Sequence, residues 1–402
     1  MDPLCFVGFP FPFSDLLGLT FRFSDFALSF QEGRTELVRR NAACLLTTDR
    51  EDDGRHATRD PRPVLVLEFP GQHMFEEAFF LPKMRELTAL VWEMKPHVIV
   101  IPGPGIFSLG AFWVARKLGI PVCVTFQTDY DSLVRLYWGP RLARLAGGLL
   151  NWVNRTLFQG SSAVATICES LIADARAAGA RHPQLVGTPL GPEFVERPPL
   201  PLAEKLDSVL YVGRLAAEKN IERFLALAAQ RPDCRFTVAG DGPLREKVEE
   251  QARRLPNLTF LGWCSREQVV EQLDAAQVLV LPSVVEAFGT VALEAMARQR
   301  LVITTPACGI NQWPELARGL AIMEEGESLG DTLARLQAQS PAQRRERAEQ
   351  ARHAALTMNQ RAMDTWLQVL GHCARQAPLL PKRWPSPTLA VLRRLSTARP
   401  EL

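Results

Sequence analysis

The residue types that could do chemistry concentrate in the second half of the chain. Gly213 turns the backbone ahead of Arg214 and Lys219, and a helical pattern opens at Ile221. A helix start presents free N–H groups and a partial positive charge, so two cations beside one suit a diphosphate. Surface charges near a helix cap would give the same letters, and this segment alone leaves both readings open. The next strand ends in Gly240-Asp241-Gly242-Pro243, by itself a turn before a helix. Further on, Phe288-Gly289-Thr290-Val291 begins another helix, whose first N–H groups could meet a phosphate. Glu286 and Glu294 flank that start, eight positions apart, so that one carboxylate could reach a sugar hydroxyl and the other a ribose. Glutamates at this spacing are common and mean little without their surroundings.

The elements that must position these residues form a regular alternation. Short apolar runs, Pro63–Leu67, His97–Ile101, Pro121–Phe126 and Ala163–Ile167, are each followed by a longer helical pattern. Strands alternating with helices mean a parallel, doubly wound α/β domain. Glu196-Arg197-Pro198-Pro199-Leu200-Pro201 then interrupts, proline favouring a semi-rigid connector. The alternation resumes with Ser208–Val212, Arg235–Ala239, Gln277–Leu281 and Arg300–Thr304. We therefore expect two Rossmann-like domains, 1–196 and 205–372, joined by a linker at 197–204 and followed by a basic, Pro-containing tail at 373–402. Ligands of open α/β sheets bind beyond the carboxyl ends of the strands, so the two crevices should face each other across a cleft.

Composition sets bounds on partners. The chain has 402 residues, 47% hydrophobic and 22% charged, enough for two packed cores. A formal net charge of +2 argues against wrapping nucleic acid. The eight cysteines are scattered, without a C-x-x-C pair or a histidine at zinc-ligand spacing, which fits a reduced, cytoplasmic setting. The first residues lack a basic n-region, so no signal peptide is expected, and no apolar run reaches transmembrane length. Between Ser132 and Gly160 the only charged residues are Arg135, Arg141, Arg144 and Arg155, interleaved with Tyr137, Trp138, Trp152, Phe158 and leucines. That mixture suits an anionic membrane surface, and equally a helix packed on its own domain.

The ordered segments GRLAAEKN, AGDGP and LPSVVEAFGTVALEAMA, then Val302-Ile303-Thr304 with Gly309, resemble the second domain of family-4 retaining glycosyltransferases over residues 205–320. The first half is similar, more loosely, to the lipid-directed subgroup with GDP-mannose-dependent α-mannosyltransferases and sulfoquinovosyl and glucosyl diacylglycerol synthases. The resemblance implies a GT-B fold and transfer of a hexose from a UDP- or GDP-linked donor to a membrane glycolipid or lipid-linked glycan. It gives Arg214 and Lys219 the donor diphosphate, Glu286 the donor sugar and Glu294 the ribose. Gly213, Gly240, Phe288, Gly289, Thr290 and Val291 belong to the donor pocket, and Gly33 to a glycine loop in the first domain. Where the subgroup carries His-Thr-Asp-Phe, this chain has Gln127-Thr128-Asp129-Tyr130. Glutamine hydrogen-bonds a sugar hydroxyl but takes no proton near neutral pH, which bears on sugar identity and on activity.

Asp129-Tyr130-Asp131 spells a D-x-D that elsewhere chelates a divalent cation. Because Arg214 and Lys219 already supply positive charge, the expectation is no metal and no cofactor, with Asp129 capping a helix and Asp131 in its first turn. The partners expected are a nucleotide-sugar donor, a lipid or glycan acceptor and an anionic membrane surface on the cytoplasmic side, and no nucleic acid. Three rival readings stand beside this one. The first is a catalytically weak GT-B subunit that binds a partner. The second is an enzyme of polysaccharide or lipopolysaccharide assembly. The third is an epimerase or hydrolase that needs no acceptor.

Overall fold

The computed structural model describes residues 96–376, preceded by two strand segments, 42–45 and 64–67, and scattered positions between 84 and 92. The strands of the first half are β1 (Ala42–Leu45), β2 (Val64–Leu67), β3 (Val98–Pro102), β4 (Val122–Phe126), β5 (Ala163–Thr166) and β6 (Pro183–Leu185). They pair in sequential order, parallel throughout except for the antiparallel edge strand β1. The helices between them are α1 (Ile106–Leu118), α2 (Tyr130–Tyr137), α3 (Pro140–Gly160) and α4 (Glu169–Ala177), and the short α5 (Pro192–Val195) follows β6.

The second half carries β7 (Ser208–Val212), β8 (Arg235–Ala239), β9 (Leu258–Gly262), β10 (Val278–Leu281), β11 (Leu301–Thr304) and β12 (Ala321–Ile322). Its helices are α6 (Ile221–Gln230), α7 (Arg245–Arg254), α8 (Arg266–Ala275), α9 (Thr290–Ala297), α10 (Pro314–Ala317), α11 (Leu329–Gln337) and α12 (Pro341–Arg375). The sheet is wholly parallel, in the order β12-β11-β10-β7-β8-β9. The chain thus winds outward one way from β7 and the other way from β10. Between those two strands lies the switch point at which such sheets bind ligands.

The strands read as unbroken apolar runs because both faces are covered. In β3, Ile99 and Ile101 pack with α1, α3 and α4, while Val98 and Val100 turn to the opposite face. That opposite face is closed by the last turns of α12, through Trp366, Val369, Leu370 and Cys373. The same helix, capped at Ser340 by a reciprocal bond with Gln343, begins on the second domain, where Ala348, Ala351, Ala355 and Met358 are buried. Its buried positions recur every three or four residues, a single apolar stripe along about 50 Å of helix. The segment expected to end the second domain at 372 therefore runs on to Arg375 and covers the first sheet. Residues beyond 376, which take in nearly all of the expected tail, lie outside the described residues.

The Pro-rich linker is held from the second domain. Arg298, buried, donates to the carbonyls of Arg197 (2.6 Å) and Pro198 (3.0 Å) and forks onto Asp274 at 2.9 and 2.6 Å. Arg300, also buried, donates to the carbonyls of Leu200 and, at 3.1 Å, Ala276. Burial pulls the Arg300 guanidinium down to about 10. The acceptors are main-chain carbonyls of the linker, at Arg197, Pro198 and Leu200, so the two guanidinium groups fix its backbone directly. Among the described residues no helix is long and apolar enough to cross a membrane.

Candidate active site

Two loops of the second domain meet over the switch point. The loop after β7 runs from Gly213 to a 3-10 turn at Ala217–Lys219, closed by Asn220 in the left-handed region at φ 49°. It packs backbone to backbone on the loop after β8, with Leu215 N–H donating to Asp241 O at 2.9 Å. A Cβ at Gly240, where φ is +144°, would lie 1.9 Å from Gly213 O, so that position must be glycine. Gly240 thus supports the site from behind rather than lining it. The Tyr211 hydroxyl donates to Arg214 O at 2.7 Å and fixes where the guanidinium starts.

The second loop, after β10, is tied to the first through the Glu218 carbonyl, which accepts from Val284 N–H at 2.8 Å. Thr305 donates to Ser283 O at 2.5 Å, and Gly309 N–H to Glu286 O at 2.9 Å, so the loop is clamped from β11 as well. Gly289, at φ 97°, ends the loop in the left-handed region and starts α9 with no side-chain cap. The N–H groups of Thr290 and Val291 are left to whatever occupies the cleft.

The charges are arranged as two ion pairs. Lys219 Nζ and Glu286 Oε2 are 2.5 Å apart, with the Ser283 hydroxyl 3.2 Å from the same oxygen. Burial opposes the Lys219 charge, but the facing carboxylates of Glu286 and Glu218 outweigh it and hold the ammonium above its usual range. Arg214 Nη1 stands 3.8 Å from Glu218 Oε1. Glu294, one turn into α9, has its carboxyl pushed up to about 7, chiefly by burial, against the attraction of Arg266.

From the opposite side the first domain contributes Gly103, after β3, and Gln127-Thr128-Asp129, after β4; the cleft encloses ≈ 450 Å³. Gly213, Arg214, Lys219, Glu286, Phe288, Gly289, Thr290, Val291, Glu294 and Gln127 all line it. Gly33 lies outside the described residues. Asp129 caps α2 by accepting from Ser132 N–H at 2.9 Å, and Asp131 sits in the helix's first turn.

Two functional candidates escape the sequence pattern. Glu218, which is buried, stands between the two cations, and its carboxylate accepts from the Tyr137 hydroxyl of the first domain. Glu218 looks like one more charge in a polar loop; only the fold shows that it is covered. Tyr137 reads as an interfacial aromatic but turns inward, and Phe158 also points inward, packing edge-on against Phe126 at 5.3 Å. The exposed large apolar residues of α3 are Leu142, Leu145, Leu149 and Trp152, spaced three or four apart and exposed by 57–73%. Arg141, Arg144 and Arg155 are exposed on the same helix, and Trp138 just before it.

Two parallel α/β domains facing across a cleft define the GT-B class. The structure is similar to that of sucrose-phosphate synthase from Thermosynechococcus elongatus, with a TM-score of 0.59 at 22% identity over 74% of this chain and 79% of that one. Residues 31–191 match the glycosyl transferase 4-like domain and residues 193–353 match glycosyl transferases group 1. The chain belongs to the glycosyltransferases built from this pair of domains. Sulfoquinovosyl transferase SQD2 of Arabidopsis thaliana is 24% identical over 75% of this chain and 59% of its own length. The GDP-mannose-dependent alpha-mannosyltransferase of Mycobacterium tuberculosis is 29% identical over 57% of this chain and 60% of its own. The alignments thus span less than two thirds of either relative.

Proposed function

We propose that this protein transfers a hexose from a nucleoside-diphosphate sugar to an acceptor hydroxyl with retained anomeric configuration. The observation that carries this reading is the convergence of Arg214, Lys219 and the uncapped start of α9 on one cleft at the sheet's switch point. All three favour a diphosphate, in its bound state and still more as it departs and gains charge. In the reaction the bond from the anomeric carbon to the diphosphate breaks while the acceptor oxygen bonds to the same face. The acceptor's proton passes to the departing diphosphate. Glu286 and Gln127 orient the donor sugar, and Glu294 receives the ribose hydroxyls. The positive charge comes from the chain itself, so no metal step is required.

The acceptor side favours a membrane glycolipid or lipid-linked glycan. The outward face of α3 combines leucines, a tryptophan and arginines, and no acidic residue occurs between 132 and 168. Such a face suits the anionic leaflet on the cytoplasmic side of a membrane, where the protein would sit peripherally.

The test is thermal stabilisation by UDP, GDP, ADP and their sugar conjugates at about 1 mM, with Lys219→Ala beside the wild type. Selective stabilisation by one nucleotide, lost in the variant, supports the donor site. Stabilisation by none of them sinks it. Binding without turnover on any lipid or glycan acceptor would instead favour the partner-binding reading that Gln127 raises.

A further inference from the structure

The two cations assigned above to a diphosphate are both engaged by carboxylates of their own chain, Arg214 by Glu218 and Lys219 by Glu286. An incoming diphosphate must replace those partners. Glu286 has a place to go if it turns to a sugar hydroxyl. Glu218 is buried, so its carboxylate cannot simply turn out into water, and its backbone carbonyl is fixed by Val284 N–H at 2.8 Å and Val285 N–H at 3.3 Å. Left beside Arg214, its negative charge would compete with the diphosphate and repel it.

The group that meets this difficulty comes from the other domain. Tyr137 is the last residue of α2, and its hydroxyl donates to Glu218 Oε2, the oxygen not facing Arg214. Burial, then the hydrogen bond to Glu218, pushes the phenol up to about 12, so it remains a donor at any working pH. The contact joins the two domains across the cleft.

We propose that Tyr137 is a positioning residue for the donor site: its hydroxyl holds one oxygen of Glu218 from across the cleft and keeps the carboxylate partnered when the donor diphosphate draws Arg214 off the other, 3.8 Å away. The proposal rests on the donor-site reading above and adds to it a residue of the first domain that never touches the donor. It also gives the interdomain contact an electrostatic consequence, because a Glu218 deprived of the tyrosine would hold Arg214 more firmly against the diphosphate.

The experiment is isothermal calorimetry of UDP and GDP binding to the full chain and to Tyr137→Phe, Glu218→Gln and the double variant, with melting temperatures alongside. Phenylalanine keeps the ring and removes the donor. We expect Tyr137→Phe to weaken nucleotide binding about 5- to 20-fold, in line with losing a hydrogen bond to a charged group. Glu218→Gln alone should bind at least as tightly as the wild type. The double variant should return to within about threefold of it, because the competing charge has gone. A purely structural role for the tyrosine gives no such rescue. Unchanged binding in Tyr137→Phe, or failure of Glu218→Gln to rescue it, overturns the proposal. A Glu218→Gln that itself binds more weakly than the wild type does the same. A wild type that binds neither nucleotide overturns the donor-site reading, and the positioning role with it.

Discussion

Lys219 and Glu286 follow different strands of the second sheet, yet their side chains meet at 2.5 Å over the point where the sheet reverses its winding. Within the cleft the two opposite charges balance each other. A phosphate oxygen and a sugar hydroxyl are the natural replacements, one for each partner.

Removing either member should therefore have opposite effects on the nucleotide alone. Lys219→Ala should weaken binding of the nucleoside diphosphate about 10- to 100-fold. Glu286→Gln should strengthen it about 2- to 5-fold, by removing a competing charge, while lowering turnover at least about 100-fold. Calorimetry of the nucleotide and a steady-state transfer assay read the two effects separately.

The buried Glu294 carboxyl gives the protein a pH dependence of stability. Its value rises from 4.5 to about 7 in the fold. Between those values the folded chain keeps a proton that the unfolded chain has released, so stability falls as pH rises across the window and levels off above it. Glu294→Gln should flatten the slope and, at pH 8, raise stability by up to about 3 kcal/mol. Hydroxyl groups donating to the carboxylate favour its charged form, so nucleotide binding near pH 7 should release a proton. Calorimetry in two buffers of different ionisation enthalpy detects that release.

Much of the fold was legible because buried strands leave long apolar runs. Val278–Leu281 is such a run, and the structure places a strand there. Pro183–Leu185 and Ala321–Ile322 carry no comparable pattern and become strands only by pairing with β5 and β11. The loops after β7 and β10 stood out because glycine, cations and carboxylates recur there in order, and the fold brings both to one cleft. The contact of Tyr137 with Glu218 was not, since it joins residues 81 positions apart across two domains. The partner of α12's last turns was equally hidden: an apolar stripe reports that a helix is covered, not by what.

The glycines behind the site should tolerate nothing larger. A Cβ at Gly309 would lie 1.8 Å from Ala287 O, and one at Gly240 1.9 Å from Gly213 O. Either change to alanine should cost about 3 kcal/mol or more, seen as a lower melting temperature, because both neighbours are backbone and cannot turn aside. Gly326, in an exposed loop at φ +81° with open space around its Cα, serves as the comparison and should lose only the smaller conformational term.

The exposed face of α3 should act in membrane binding and not in folding. Leu145→Glu together with Leu149→Glu should reduce binding to vesicles containing anionic lipid at least about tenfold, with the melting temperature nearly unchanged. Wild-type binding should also fall as salt is raised, through the arginines. A wild type that ignores such vesicles would separate the protein from the membrane altogether.

The return of α12 to the first sheet means that the chain passes between the domains twice, once through the linker held by Arg298 and Arg300 and once along the helix itself. A single tether would let the domains swivel and slide. Two crossings set apart act like two pins on one door: they define an axis and leave opening and closing about it as the low-cost motion. A ligand bound between the domains would then meet the same register of the two cleft walls at each closing.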